Sequence, residues 1–89
     1  MKSILQAAEW TLATDTVDGQ PKPTLYEAWC LTCKESSDVT EGERLPAEIW
    51  ALKHTGLRPQ HRTFAAIITT TWRVSPAEGN PFHEMERRQ

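Results

Sequence analysis

The sequence predicts an α+β fold: a small antiparallel sheet of three to four strands with one helix packed against it. Three observations carry this. Apolar residues alternate along residues 3–13 and again along 63–74, at the period of a half-buried strand. A single stretch, Leu45 to Thr55, has helical spacing and helix-end chemistry. The chain has 89 residues, room for one core and no second.

The elements follow in order. Ile4, Gln6, Ala8, Trp10 and Leu12 fall at every second position and predict a first strand over 3–13. Thr14 to Pro21 gathers Asp15, Asp18, Gly19 and Pro21, which is turn chemistry. Leu25, Tyr26, Ala28 and Trp29 predict a second strand over 24–30 that runs into Cys30-x-x-Cys33. Val39 and Thr40 allow a short third strand antiparallel to it. In the helix, Pro46 suits the first position, and Gly56 is expected as the glycine that ends it. Leu45, Ile49 and Leu52 share one face and are expected to meet Trp10, Tyr26, Phe64, Ile68 and Trp72 in the core. The most regular alternation, Phe64 to Val74, predicts the last strand. Two prolines, Gly79 and a charged end predict a flexible tail over 75–89, leaving 1–74 as the domain.

Composition limits the class. The apolar set makes up 38% of residues, so the core is lean. A chain this short buries only about 60 to 65% of its unfolded surface and needs a staple. No stretch approaches the roughly 18 apolar residues of a membrane span, and Met1 to Leu5 opens no signal peptide. A collagen-like rod, a coiled coil and a large α/β enzyme are excluded as well. Two cysteines only two residues apart make no disulfide framework, so the expected location is the cytoplasm, with the thiols reduced or metal-bound.

The formal charge is −2, unevenly spread. Residues 49–77 carry Lys53, Arg58, Arg62 and Arg73 and no acid, a candidate nucleic-acid surface. Four separated bases on a solvated face are the plainer reading, and an overall pI near 5.9 argues against a dedicated DNA binder.

The chemistry concentrates in Cys30-x2-Cys33-x20-His54-x6-His61. A two-residue gap lets both sulfurs of a tight turn reach one ion, and Zn²⁺ favours four such soft or borderline donors in a tetrahedron. The intervening chain has room for a strand, a turn and a helix whose end carries His54. The Gly56 and Pro59 bend can then return His61 to the same point. Two thiolates and two neutral imidazoles would make a closed, charge-balanced structural zinc knuckle, zinc-finger-like in donor set. The spacings exceed those usual for zinc fingers. The plainer alternative makes His54 a helix-end histidine, His61 a surface residue and the cysteines small buried groups. His83, in the expected tail, is a distant substitute for the fourth ligand.

Catalytic readings fare worse. Trp29-Cys30-x-x-Cys33-Lys34 matches the pattern of a thiol oxidoreductase, but that chemistry needs a helix starting at the first cysteine. The following Glu35 to Gly42 has no apolar helical face. Hydrolytic zinc would need an open site and a general base, and Glu27 and Glu35 read better as surface carboxylates. Ser36, Ser37 and Asp38 form a turn cluster. The four tryptophans, one per element, read as core rather than as a stacking platform for bases.

The segments Ala8-Glu9-Trp10, Cys30-Leu31-Thr32-Cys33-Lys34-Glu35-Ser36, Trp50 to Gly56 and His61-Arg62-Thr63-Phe64 resemble a family of short actinobacterial proteins, a domain of unknown function. Its pattern is Cys-x-x-Cys, then Trp-x-x-x-His, then a second His before an aromatic residue, over about 1–74. The resemblance implies a compact Cys/His domain and no activity. The expectation is therefore a non-enzymatic zinc-binding domain that engages a protein partner, with no membrane and no small-molecule substrate.

Overall fold

The computed structural model describes residues 5–7 and 9–87, with side chains from Glu9 onward. The chain forms β1 (Leu5–Ala7), β2 (Trp10–Thr14), β3 (Thr16–Val17), β4 (Gln20–Pro21), β5 (Leu25–Cys30), β6 (Thr40–Glu41), α1 (Leu45–Leu57), β7 (Phe64–Thr69), β8 (Trp72–Pro76) and α2 (Pro81–Arg87). Antiparallel pairing groups the strands into three small sheets, ordered β1-β2-β8, β3-β4 and β6-β5-β7. Two compact units result. One gathers the described residues before Pro23 with those from Thr71 onward, and the other is Pro23–Thr70.

In the Pro23–Thr70 unit, β5 pairs along its whole length with β7, from Leu25↔Thr69 to Cys30↔Phe64. β6 pairs on the other edge of β5 through Tyr26↔Thr40, which is the short third strand expected from Val39 and Thr40. The pleat of β5 buries Ala28 and Cys30 and exposes Trp29 between them. α1 lies on β5 and buries Ala47 and His54.

The other unit begins with a hairpin where one long strand was expected. Leu5 pairs with Leu12 and Ala7 with Trp10. Period-2 alternation cannot tell one strand from two that fold back. Only Ala8 and Glu9 separate the paired residues in sequence, and neither is the Gly or Asn that usually marks so tight a reversal. Ser3, Ile4 and Ala8 of the expected strand lie outside the described residues. The Thr14–Pro21 turn resolves into a second hairpin, with Asp18 and Gly19 both at positive φ (52° and 78°) at its tip, as a two-residue turn requires. Lys22 closes its base on Asp15 at 2.8 Å.

The expected strand over 63–74 is also two strands. β7 ends at Thr69 and β8 starts at Trp72, pairing with β2 in a different sheet. The alternation runs through the change of partner because both segments are extended. Residues expected in the tail continue β8 to Pro76 and form α2, while Arg88 and Gln89 lie outside the described residues. Ala77 N–H and Asn80 Nδ2 both donate to the Glu9 carbonyl, at 2.7 and 3.0 Å.

Two expectations about α1 are corrected. It does not end at Gly56; it continues to Leu57 and stops at Arg58, whose φ of −135° and ψ of 83° put it in the extended region that a following proline imposes. Its packed face is also different. Leu45 and Leu52 are 62% and 74% exposed and Ile49 is exposed as well, while Ala47 and His54 are buried. Trp10, Ile68 and Trp72 are exposed too. The buried residues of α1 are the small Ala47 and the imidazole of His54, and the larger aliphatic stripe is left outside. Among the described residues the buried apolar ones are then Ala28, Cys30, Ala47 and Ala77, none of them a large aliphatic or aromatic side chain.

Candidate metal centre

Cys30 is the last residue of β5, and its side chain is fully buried. Beyond it the chain makes a tight knuckle. Lys34 N–H donates to the Cys30 carbonyl at 2.9 Å, and Cys30 N–H donates to the Glu35 carbonyl at 2.8 Å. Lys34 adopts the left-handed conformation that closes the turn (φ 71°). The Trp29 indole N–H clamps the Lys34 carbonyl at 2.7 Å. The returning strand is held by the Trp29↔Ser36 bridge and by Ser37, whose hydroxyl accepts from Ala28 N–H at 2.9 Å. Leu31 N–H reaches the Thr63 carbonyl at 3.0 Å, tying the knuckle to the entry of β7.

His54 enters from the buried face of α1. Trp50, one turn earlier, stacks on its ring at 4.8 Å, and Phe64 meets both rings edge-on. This aromatic wedge fixes the imidazole plane. His61 returns after Pro59: its N–H donates to the Arg58 carbonyl at 2.8 Å, and its carbonyl accepts from the Thr55 hydroxyl at 2.6 Å.

The four donors converge. Cys33 Sγ lies 3.4 Å from His54 Nε2, Cys30 Sγ lies 3.6 Å from His61 Nδ1, and the two ring nitrogens are 3.2 Å apart. All four donor atoms fall within 4.8 Å of one another, so Cys30, Cys33, His54 and His61 could hold a single metal ion. Every one belongs to the Pro23–Thr70 unit. Burial pushes the Cys30 thiol up, but hydrogen bonds from the backbone and side chains of Cys33 and Thr32 outweigh it and hold the group below the ordinary cysteine range. Donors aimed at the sulfur favour the thiolate, the form that binds metal.

Sequence reasoning placed Glu35 on the surface. Its Oε2 stands 3.7 Å from His54 Nδ1, and its Oε1 accepts from the Arg58 guanidinium at 3.2 Å. A carboxylate two residues beyond the knuckle, with an arginine four residues past a helix-end histidine, was the available signal. Of the four bases considered for nucleic acid, Arg58 is thus engaged with Glu35, and Arg62 Nε donates to the Pro59 carbonyl at 2.6 Å. Lys53 lies on α1, and Arg73 belongs to the other unit. His83 lies on α2, in that other unit too.

The described residues define a small protein with two helices, several short antiparallel sheets and a possible Cys2His2 metal-binding group. Residues 1–79 match the family described as domain of unknown function (DUF7848), and the chain belongs to that family. The match reaches a little past the 1–74 span expected from the resemblance. No curated protein and no solved structure matches the chain.

Proposed function

We propose that the protein is a non-enzymatic zinc-binding module whose metal holds the knuckle, α1 and the entry of β7 together, and which acts by engaging another protein. The convergence of the four donors carries this reading. Around tetrahedral zinc, bond lengths of about 2.3 Å to sulfur and 2.05 Å to nitrogen put donors about 3.3 to 3.6 Å apart where nitrogen is involved. Three of the six donor separations, at 3.2, 3.4 and 3.6 Å, lie in or close to that range, and all six are within 4.8 Å. Four protein donors leave no open position for a water nucleophile, which favours a structural over a hydrolytic metal.

The thin core gives the metal its weight. Full burial of a large apolar side chain contributes about 1.5 to 3 kcal/mol, and none is found among the described residues. A structural zinc site contributes roughly 10 to 16 kcal/mol in zinc-finger peptides. The exposed stripe of Leu45, Ile49 and Leu52 supports a protein partner, since apolar side chains aligned on one helix face suit a groove on another chain. Thiol redox catalysis draws no support: Cys30 ends a strand, and a turn rather than a helix follows it.

Elemental analysis of tag-free protein purified under reducing conditions tests the metal, with about one zinc per chain expected. A strong chelator should collapse the thermal transition. A metal-free protein whose melt ignores the chelator would sink the proposal.

A further inference from the structure

Both Glu35 and Arg58 are anchored through their main chains to the metal ligands. The Glu35 carbonyl accepts from Cys30 N–H, Arg58 N–H donates to the His54 carbonyl at 2.9 Å, and the Arg58 carbonyl accepts from His61 N–H. Their side chains then meet at 3.2 Å outside the donor cluster. Glu35 Oε2 stands 3.7 Å from His54 Nδ1, the ring nitrogen opposite the one in the cluster. The carboxylate end of one ion pair therefore reaches a histidine of the donor cluster.

Resting on the metal reading above, we propose that Glu35 and Arg58 are a positioning pair that orients His54 and tunes the affinity of the site for zinc. A histidine that ligates through Nε2 carries its proton on Nδ1. A carboxylate facing that N–H fixes the tautomer and the ring angle and makes the imidazole a better donor. Arg58 holds the carboxylate in place. Both side chains are about half exposed, at 55% and 50%, and an exposed ion pair alone adds little to folding. Its effect belongs to the metal.

Competition with a chromophoric zinc chelator tests this on the full chain, comparing wild type, Glu35→Ala, Glu35→Gln, Arg58→Ala and the control Glu43→Ala. Glu35→Ala should bind zinc about 10- to 100-fold more weakly, the range for outer-shell partners. Glu35→Gln, which keeps an acceptor oxygen without the charge, should recover part of the loss. Arg58→Ala should fall between them, and Glu43→Ala should match wild type. With cobalt in place of zinc, Glu35→Ala should shift the visible ligand-field bands, while far-ultraviolet circular dichroism at saturating zinc stays that of wild type. Wild-type zinc affinity in both Glu35 variants overturns the pair's role. A changed fold at saturating zinc in both overturns it too, since the residue would then be merely structural. Wild-type protein that takes up no zinc overturns the metal reading itself, which is a distinguishable failure.

Discussion

His54 Nε2 and His61 Nδ1 stand 3.2 Å apart, although one lies on a helix and the other beyond its end. The chain achieves this by stopping α1 with Pro59 and folding the next residues back. Arg58 then receives the His61 N–H, and Thr55 holds the His61 carbonyl. A six-residue gap, longer than the usual zinc-finger spacing, is thus the length this reversal needs.

The four donors should not fail equally. Thiolates make the strongest bonds to zinc, so Cys30→Ser and Cys33→Ser should leave the Pro23–Thr70 unit largely unfolded. His54→Ala should come close to that, because it also removes the ring between Trp50 and Phe64. His61→Ala should retain weakened zinc binding and a partly folded state, with water taking its place. His83→Ala should behave as wild type. Zinc content and melting temperature under reducing conditions check all five. Loss in His83→Ala, with wild-type behaviour of the two other histidine variants, would overturn the assignment.

The packed face of α1 makes a second prediction, opposite to the aliphatic pattern. Leu52 is 74% exposed, so Leu52→Lys should change stability by no more than about 0.5 kcal/mol. Phe64, wedged against Trp50 and His54 and paired across the sheet with Cys30, should cost roughly 2 kcal/mol or more as Phe64→Ala. Chemical denaturation of both zinc-loaded variants decides it. If Leu52→Lys proves the worse, the aliphatic stripe is core after all.

Those two faces show what the sequence could and could not disclose. The donor set was legible because the chemistry is local in type: a two-residue cysteine gap, then histidines flanking a helix end. β5 and most of α1 were legible from period and proline placement. The two false single strands share one cause. Alternation reports an extended backbone but not its neighbour, so it ran unbroken through Ala7 to Trp10 and through Thr69 to Trp72. On α1, side-chain size does not mark the buried face. Ala47 is buried instead, and burial of His54 is possible because Nε2 has partners in the cluster and Nδ1 faces the Glu35 carboxylate. Glu35 reads in the sequence as a surface carboxylate, and its side chain is exposed; its approach to His54 follows the αL turn at Lys34, a conformation that lysine rarely announces.

Asp15 supplies a pH signature separate from the metal. Its hydrogen-bonded pairing with Lys22, reinforced by Thr16 N–H, holds the carboxyl below its ordinary value against some desolvation. A carboxyl whose folded pKa is depressed contributes stability fully above the unfolded value of about 3.9 and loses it as pH falls through the folded value. Melting temperatures of wild type and Asp15→Asn should therefore differ near neutral pH and converge in strong acid. Taking the difference between the two proteins cancels titrations that both share. A gap independent of pH would show that Asp15 acts through its hydrogen bonds alone.

Gly56 gives the sharpest discrimination between pattern and structure. Had it ended α1 in the left-handed conformation, alanine there would be strained and destabilising. It instead lies inside the helix, one residue before Leu57, and a Cβ built on it meets nothing within 4 Å. Glycine in a helix interior leaves the unfolded chain more freedom to lose, and alanine removes that penalty. Gly56→Ala should accordingly stabilise the zinc-loaded protein by about 0.5 to 1 kcal/mol. Zinc affinity should stay the same or rise slightly, since His54 and Thr55 immediately precede it on the same helix. Denaturation midpoints with and without the substitution, at fixed saturating zinc, measure the sign directly. A loss of stability would mean that the helix ends at Gly56, and with it would go the route by which Arg58 and Pro59 bring His61 back to His54.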